Sequence, residues 1–155
     1  MIDDPLDAIM HVMNQAFDPA YGEAWNRRQV ADALLLPHTH SVLTGVEAGR
    51  PLRSPEEAAG FALLRHAAEE EELLLLAVSP QYRRRGIARR LLEMAMDQAR
   101  ARGTTHLFLE MRDGNPAERL YRSFGFEQIG RRPGYYRSAA EGPIDAVTFA
   151  KSLLP

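Results

Sequence analysis

The stretch Leu73-Leu74-Leu75-Leu76-Ala77-Val78-Ser79-Pro80-Gln81-Tyr82-Arg83-Arg84-Arg85-Gly86-Ile87-Ala88 decides the fold. The apolar run Leu73 to Val78 is too short to span a membrane and suits a strand covered on both faces, at the centre of a sheet. After Ser79-Pro80 the chain passes through three arginines to Gly86 and enters a helix. Ile87, Ala88, Leu91, Leu92, Ala95 and Ala99 form one apolar stripe, and Gly103 stands at the expected C-terminal cap. The first N–H groups of such a helix lack internal partners, and its dipole adds partial positive charge there. A glycine without Cβ lets a ligand approach that backbone, so the loop can bind a phosphate or pyrophosphate. It has neither the Gly-Lys-Ser/Thr ending of a nucleotide P-loop nor the extra glycines of a dinucleotide fingerprint. A solvated, arginine-rich helix start accounts for the spacing equally well.

Upstream, Leu6, Ile9, Met10, Met13 and Phe17 share a helical face, with Asp4 as cap and Pro5 at the first position. The turn formers Asp18-Pro19-Ala20-Tyr21-Gly22 follow. A second helix starts at Asn26, with Gln29 closing a capping box and Val30, Ala31, Leu34 and Leu35 apolar; Pro37 stops it. Ser41 to Val46 and Gly60 to Arg65 read as strands, separated by a long loop marked by Gly49, Pro51, Ser54 and Pro55. Glu69 to Glu72 reads mainly as a solvated turn.

Downstream, Thr105 to Met111 is a strand with His106, Phe108 and Glu110 on one face and Leu107, Leu109 and Met111 on the other. Asn115-Pro116-Ala117-Glu118 opens a short helix, with Asn115 as cap and Glu118 closing the box, that ends at Gly125. Phe126 to Arg131 and Ala146 to Ala150 supply the last strands. The order predicts one α+β (mixed α/β) domain over residues 1–155.

Composition narrows the function. The chain has 155 residues, 45% hydrophobic and 26% charged, as in ordinary globular domains. It has no cysteine, which excludes disulfides, zinc thiolate sites and a cysteine nucleophile. A net charge of −2 argues against general nucleic-acid binding. The five histidines are scattered without a metal-ligand pattern, so no metal is expected. Met1-Ile2-Asp3-Asp4-Pro5 has neither region of a signal peptide, which predicts a cytoplasmic protein without membrane attachment.

Arg83-x-x-Gly86-x-Ala88 after a strand resembles the pyrophosphate-binding signature of the GNAT superfamily of acyl-CoA-dependent N-acetyltransferases. The resemblance extends through Ala77-Val78-Ser79-Pro80, Leu109-Glu110-Met111-Arg112-Asp113-Gly114-Asn115 and Leu120-Tyr121-Arg122-Ser123-Phe124-Gly125-Phe126. It continues through Gly130-Arg131-Arg132-Pro133-Gly134-Tyr135-Tyr136 to Asp145-Ala146. Together these look like the RimI type, enzymes that acetylate the N-terminal amine of a ribosomal small-subunit protein. The resemblance implies a mixed, mostly antiparallel sheet with helices on both faces, and acetyl-CoA as cosubstrate. Backbone groups of Leu76, Ala77 and Val78 would pair with the pantetheine arm. The N–H groups of residues 84–88 (Arg84, Arg85, Gly86, Ile87, Ala88) would hold the pyrophosphate, with arginines including Arg83 around them. Asn115 would bond pantetheine, Glu110 would act as general base through a water, and Tyr121 would protonate the leaving thiolate.

Each role has a plainer counterpart: Glu110 as a strand-end carboxylate, Tyr121 as a core aromatic, Asn115 as a helix cap. Partial burial beside apolar stripes would suit Glu110 to a base working near neutrality. On the acceptor side, Trp25 would line the groove, Glu70 would attract the amine, and Tyr135 and Tyr136 would close over the peptide from a loop after Pro133-Gly134. Asp145 is a weaker candidate. The expected partner is a protein N-terminus of the ribosomal-protein type; a lysine side chain, a small amine, or acyl-CoA binding without catalysis are the alternatives. The family's usual first strand is missing or residual before Pro5, which leaves a sheet edge and a monomer or weak homodimer.

Overall fold

The computed structural model describes residues 2–17, 22–138 and 142–155; the turn formers Asp18 to Tyr21 lie outside them. Two helices come first, α1 (Leu6–Ala16) and α2 (Arg27–Leu34), then strands β1 (Thr39–Thr44), β2 (Gly60–Ala67) and β3 (Glu70–Val78). Helix α3 (Ile87–Ala101), strand β4 (His106–Arg112), helix α4 (Glu118–Ser123) and strands β5 (Glu127–Ser138) and β6 (Gly142–Ser152) complete the order. The strands form one sheet, β1-β2-β3-β4-β6-β5, antiparallel except between β3 and β4. Helices α1 and α2 cover one face and α3 and α4 the other, so this is the mixed, mostly antiparallel α/β sheet that the resemblance implies. Among the described residues no strand precedes α1, and β1 is an edge.

Local chemistry explains the elements. Asp4 Oδ1 accepts from Leu6 N at 2.9 Å to start α1. Asn26 and Gln29 exchange both bonds of a capping box at 2.8 Å. On α3, Ile87, Leu91, Leu92, Ala95, Met96 and Ala99 are buried, and each large aliphatic side chain contributes about 1.5–3 kcal/mol through burial. Gly60 lets α3 approach β2: a Cβ there would lie 2.8 Å from Leu91 Cδ1 and 2.9 Å from the Ala77 carbonyl.

Several expectations need correction. Strand β1 runs from Thr39 to Thr44 rather than Ser41 to Val46. Arg90 holds the Gly45 and Val46 carbonyls at 2.7 and 3.3 Å, which turns that backbone toward α3. Helix α2 ends at Leu34, and Leu35 points out, 83% exposed. The acidic run is mostly strand, since β3 starts at Glu70. Glu71 is only 1% exposed and takes bonds from Arg102 at 2.9 and 2.6 Å and from Thr104 at 2.8 Å. Burial alone would raise its carboxyl pKa, but those bonds outweigh it and hold the group below its ordinary value. Glu72 meets Arg65 across the β2–β3 pair at 2.9 Å.

Strand β5 is twice the expected length, and Pro133-Gly134 sits inside it, where the register with β6 shifts between Arg132 and Tyr136. Gly134 takes φ +62° there, and its N–H donates to Asp145 Oδ1 at 2.9 Å. Tyr135 and Tyr136 therefore belong to a strand, not a loop. Asn115 Oδ1 accepts from Ala117 N at 2.9 Å, but Glu118 closes no box. It pairs instead with Arg122, one turn along α4, at 2.7 Å.

Candidate active site

Strands β3 and β4 pair only from Glu70↔His106 to Leu73↔Leu109. Beyond that, Leu74–Val78 and Glu110–Arg112 run on without pairing to each other. The cause lies in β3. Leu63 of β2 pairs with Leu75 and Leu64 with Leu73, which makes Leu74 a surplus residue, a β-bulge that bends the strand. The bulge also reverses the strand's faces: Leu73 packs on the α3 side, whereas Leu75 and Ala77 pack on the α1 side. Both faces are covered, which is why the whole run is apolar. Among the described residues no strand pairs with Leu76, Ala77 and Val78 on the β4 side.

The splayed strands open into a cleft of about 1870 Å³. At its end the chain turns through Pro80–Tyr82 into α3. Gly86 precedes the helix with φ +75° and no side chain caps the N-terminus, while Arg84 also takes a positive φ, +65°. A Cβ on Gly86 would meet nothing within 4 Å, so the room above this backbone is open. Helix N–H groups and the dipole make that room suited to an anion. The arginines divide their work. Arg83 donates to the Ala16 carbonyl at the end of α1, 2.8 Å away. Arg85 lies over the Tyr82 ring and is not part of the cleft lining, whereas Arg83, Arg84, Ile87 and Ala88 are.

Glu110 and Tyr121 reach the cleft from opposite sides of the sheet. Glu110 shares the face of His106 and Phe108; its side chain is 17% exposed, with Arg132 Nε at 2.9 Å and Thr148 Oγ1 at 3.4 Å. Tyr121 belongs to the core beneath α3, 7% exposed, edge-on to Phe126. Burial, and secondarily the charge of Glu23, push its hydroxyl pKa above the ordinary value. Asn115, Trp25, Tyr135 and Tyr136 also line the cleft. The Tyr136 hydroxyl is pushed up to about 12, first by burial and then by Glu110 and Glu23.

Glu70 does not line the cleft. It is exposed at the start of β3, paired with Ala67 and His106, at the end of the strand remote from Val78. The bulge and splay put the opening at the other end. Asp145 lies behind the site, where it holds Gly134 and Arg131. The residue that sequence reasoning missed is Glu23, whose carboxylate meets Arg112 Nε at 3.4 Å and Asn115 Nδ2 at 3.3 Å. A lone acid in an irregular connector carries no periodic signal; only its proximity to Trp25 in sequence hints at it.

Three histidines that are apart in sequence meet at the far end of β1 and β2. His66 Nε2 lies 3.2 Å from His38 Nδ1, and His66 Nδ1 lies 2.6 Å from His40 Nε2. Their nitrogens face one another, and among the described residues no group of three His, Cys, Asp or Glu is arranged to hold a metal ion. No helix among those residues is long and apolar enough to cross a membrane.

Known proteins match this architecture. The sequence profile of the Acetyltransferase (GNAT) family matches residues 6–126. A [ribosomal protein bS18]-alanine N-acetyltransferase of Salmonella typhimurium is 35% identical over 132 residues, covering 82% of this chain and 87% of its own. The Escherichia coli protein of that name is 39% identical over 93 residues, 59% of this chain and 62% of its own. A crystal structure of the ribosomal-protein-S18-alanine N-acetyltransferase from Escherichia coli superposes with a TM-score of 0.82 at 28% identity, over 100% of this chain and 92% of that one. An aminoglycoside 6′-N-acetyltransferase complexed with coenzyme A shares the fold, with a TM-score of 0.71 at 15% identity over 94% of this chain and 91% of that one. The splayed sheet, the uncapped helix after Gly86 and these matches have one explanation: the chain belongs to the GNAT acetyltransferase family and is an N-acetyltransferase.

Proposed function

We propose that the protein transfers an acetyl group from acetyl-CoA to the N-terminal amine of a protein, in the manner of the bS18-alanine acetyltransferases. The observation that carries this reading is the 35% identity to such an enzyme over most of both chains. The cleft fits the cosubstrate. Leu76–Val78 offer an unpaired strand edge to which an extended amide-containing arm can add. The open backbone at Gly86 accommodates a pyrophosphate, and Asn115 Nδ2 can donate to an amide carbonyl.

Bound acetyl-CoA supplies the thioester carbonyl. Glu110, on the α1 side of the sheet, accepts the acceptor's proton through a water. An α-amine, with a pKa of about 8, yields that proton far more readily than a lysine at about 10.4, so a carboxylate relay suffices. Arg132 and Thr148 hold Glu110 in place. Tyr121, on the opposite side, keeps its proton because of burial and donates it to the departing thiolate. With no cysteine in the chain, no cysteine thioester intermediate forms and the amine attacks directly.

The test is to incubate the protein with acetyl-CoA and an alanine-initiated peptide that also contains lysine, then locate the modification by fragment mass. One acetyl group on the α-amine is the expected result. Acetylation of the lysine, or of spermidine in preference to the peptide, would overturn the reading.

A further inference from the structure

Glu23 stands in the connector between α1 and α2, on the wall of the cleft that also carries Trp25. Its carboxylate crosses to the opposite wall, where Oε2 lies 3.3 Å from Asn115 Nδ2 and Oε1 lies 3.4 Å from Arg112 Nε. The Glu23 and Arg112 side chains are only 16% and 15% exposed. Charge-assisted bonds shielded from water in this way hold their partners more firmly than surface pairs do. Asn115 has already committed its Oδ1 to Ala117 N, 2.9 Å away, so Nδ2 is the atom it presents to the cleft. One side chain of the α1–α2 connector thus reads the state of the amide that faces the cosubstrate.

We propose that Glu23 is a positioning residue that couples the two walls: through Asn115 it transmits cosubstrate occupancy to the α1–α2 connector and so sets the shape of the acceptor groove. The inference rests on the reading of Asn115 as a pantetheine contact. When the cosubstrate carbonyl takes one N–H of Asn115, the amide is fixed and its second N–H stays on Glu23. Residues 22–26, with Trp25 packed on the core that α1 covers and Asn26 capping α2, are then held at the distance an acceptor needs. In the absence of cosubstrate, Asn115 is held by the Ala117 N–H and Glu23 alone, and residues 22–26 are less firmly held.

Hydrogen–deuterium exchange of the intact protein with and without CoA tests this without any acceptor. In the wild type, CoA is expected to slow exchange both at residues 84–90 and at residues 22–30. In E23A the first protection persists and the second is lost; E23Q, which keeps an oxygen for Asn115, restores most of it. With the alanine-initiated peptide, E23A should raise the peptide KM by about two- to tenfold, the range of one hydrogen bond, with kcat changed less than twofold. Equal protection of residues 22–30 in wild type and E23A, or an E23Q indistinguishable from E23A, would overturn the coupling. Failure of every peptide to react, with the exchange pattern intact, would instead overturn the N-terminal acceptor and leave the coupling standing.

Discussion

On the cosubstrate side of the cleft, every feature comes from one continuous run: the bulge at Leu74, the free edge of Leu76–Val78, and Gly86 before α3. The acceptor side draws Glu23, Glu110, Arg132 and Tyr136 from three separate segments, and side chains rather than backbone shape it. Backbone geometry is dictated locally, by a surplus residue or a positive φ. A constellation of side chains depends on strand register and packing elsewhere. Substitutions on the two sides should therefore fail by different routes, with Glu23 as the one link between them.

The largest effect should come from Glu110→Gln. Loss of a general base lowers kcat by about 10²- to 10⁴-fold. CoA affinity, measured by calorimetry, should stay within about twofold, as expected of a proton-transfer role. A parallel loss of CoA binding would erase the distinction between the sides. Arg102→Ala comes next and touches neither side. It leaves Glu71 buried without its partner, at a cost of about 3 kcal/mol because Arg102 itself is partly exposed. Urea unfolding reads that loss directly, while activity per folded molecule should be unchanged.

Gly86→Ala is the mirror image of Glu110→Gln. A Cβ at φ +75° costs about 1–2 kcal/mol, so the loop relaxes and CoA binding weakens by about five- to thirtyfold. The peptide KM at saturating acetyl-CoA should not move. If it rises equally, the loop shapes both sides.

Much of this was legible in the sequence where the signal was local. The α3 stripe, the Asn26–Gln29 box and the buried run of β3 all appear as expected. What was illegible depends on partners distant in the chain. Glu71 reads as one more acid in a solvated run until Arg102, thirty-one residues away, is seen to bond it. Pro133-Gly134 reads as a turn, because nothing nearby announces that Asp145 will accept from Gly134 and hold the pair in a bulged strand. The expectation for Glu70 failed for a related reason. The acidic run suggested attraction for a cation, but only the register of β3 against β4 shows at which end the sheet opens.

The smallest expected effect concerns that closed end. Burial first, and then Arg102, lower the pKa of His40. The folded protein thus binds this proton less readily than the unfolded chain, and stability declines as pH falls from about 6.5 toward the folded value. His40→Gln should flatten that part of a Tm-against-pH curve. It should leave the further decline below the ordinary glutamate range, where protonation of Glu71 removes its bonds to Arg102 and Thr104. His38, His66, Arg102 and Glu71 all face His40, and none lines the cleft, so the pH dependence of activity should be untouched.

Leu74 gives the chain an unusual sensitivity to length. Deleting it would restore strict alternation to β3, with Leu75 and Ala77 still on the α1 side, and let the strand stay zipped to β4. The enzyme's opening is thus counted rather than carved: it exists because one strand is a single residue longer than its neighbour requires.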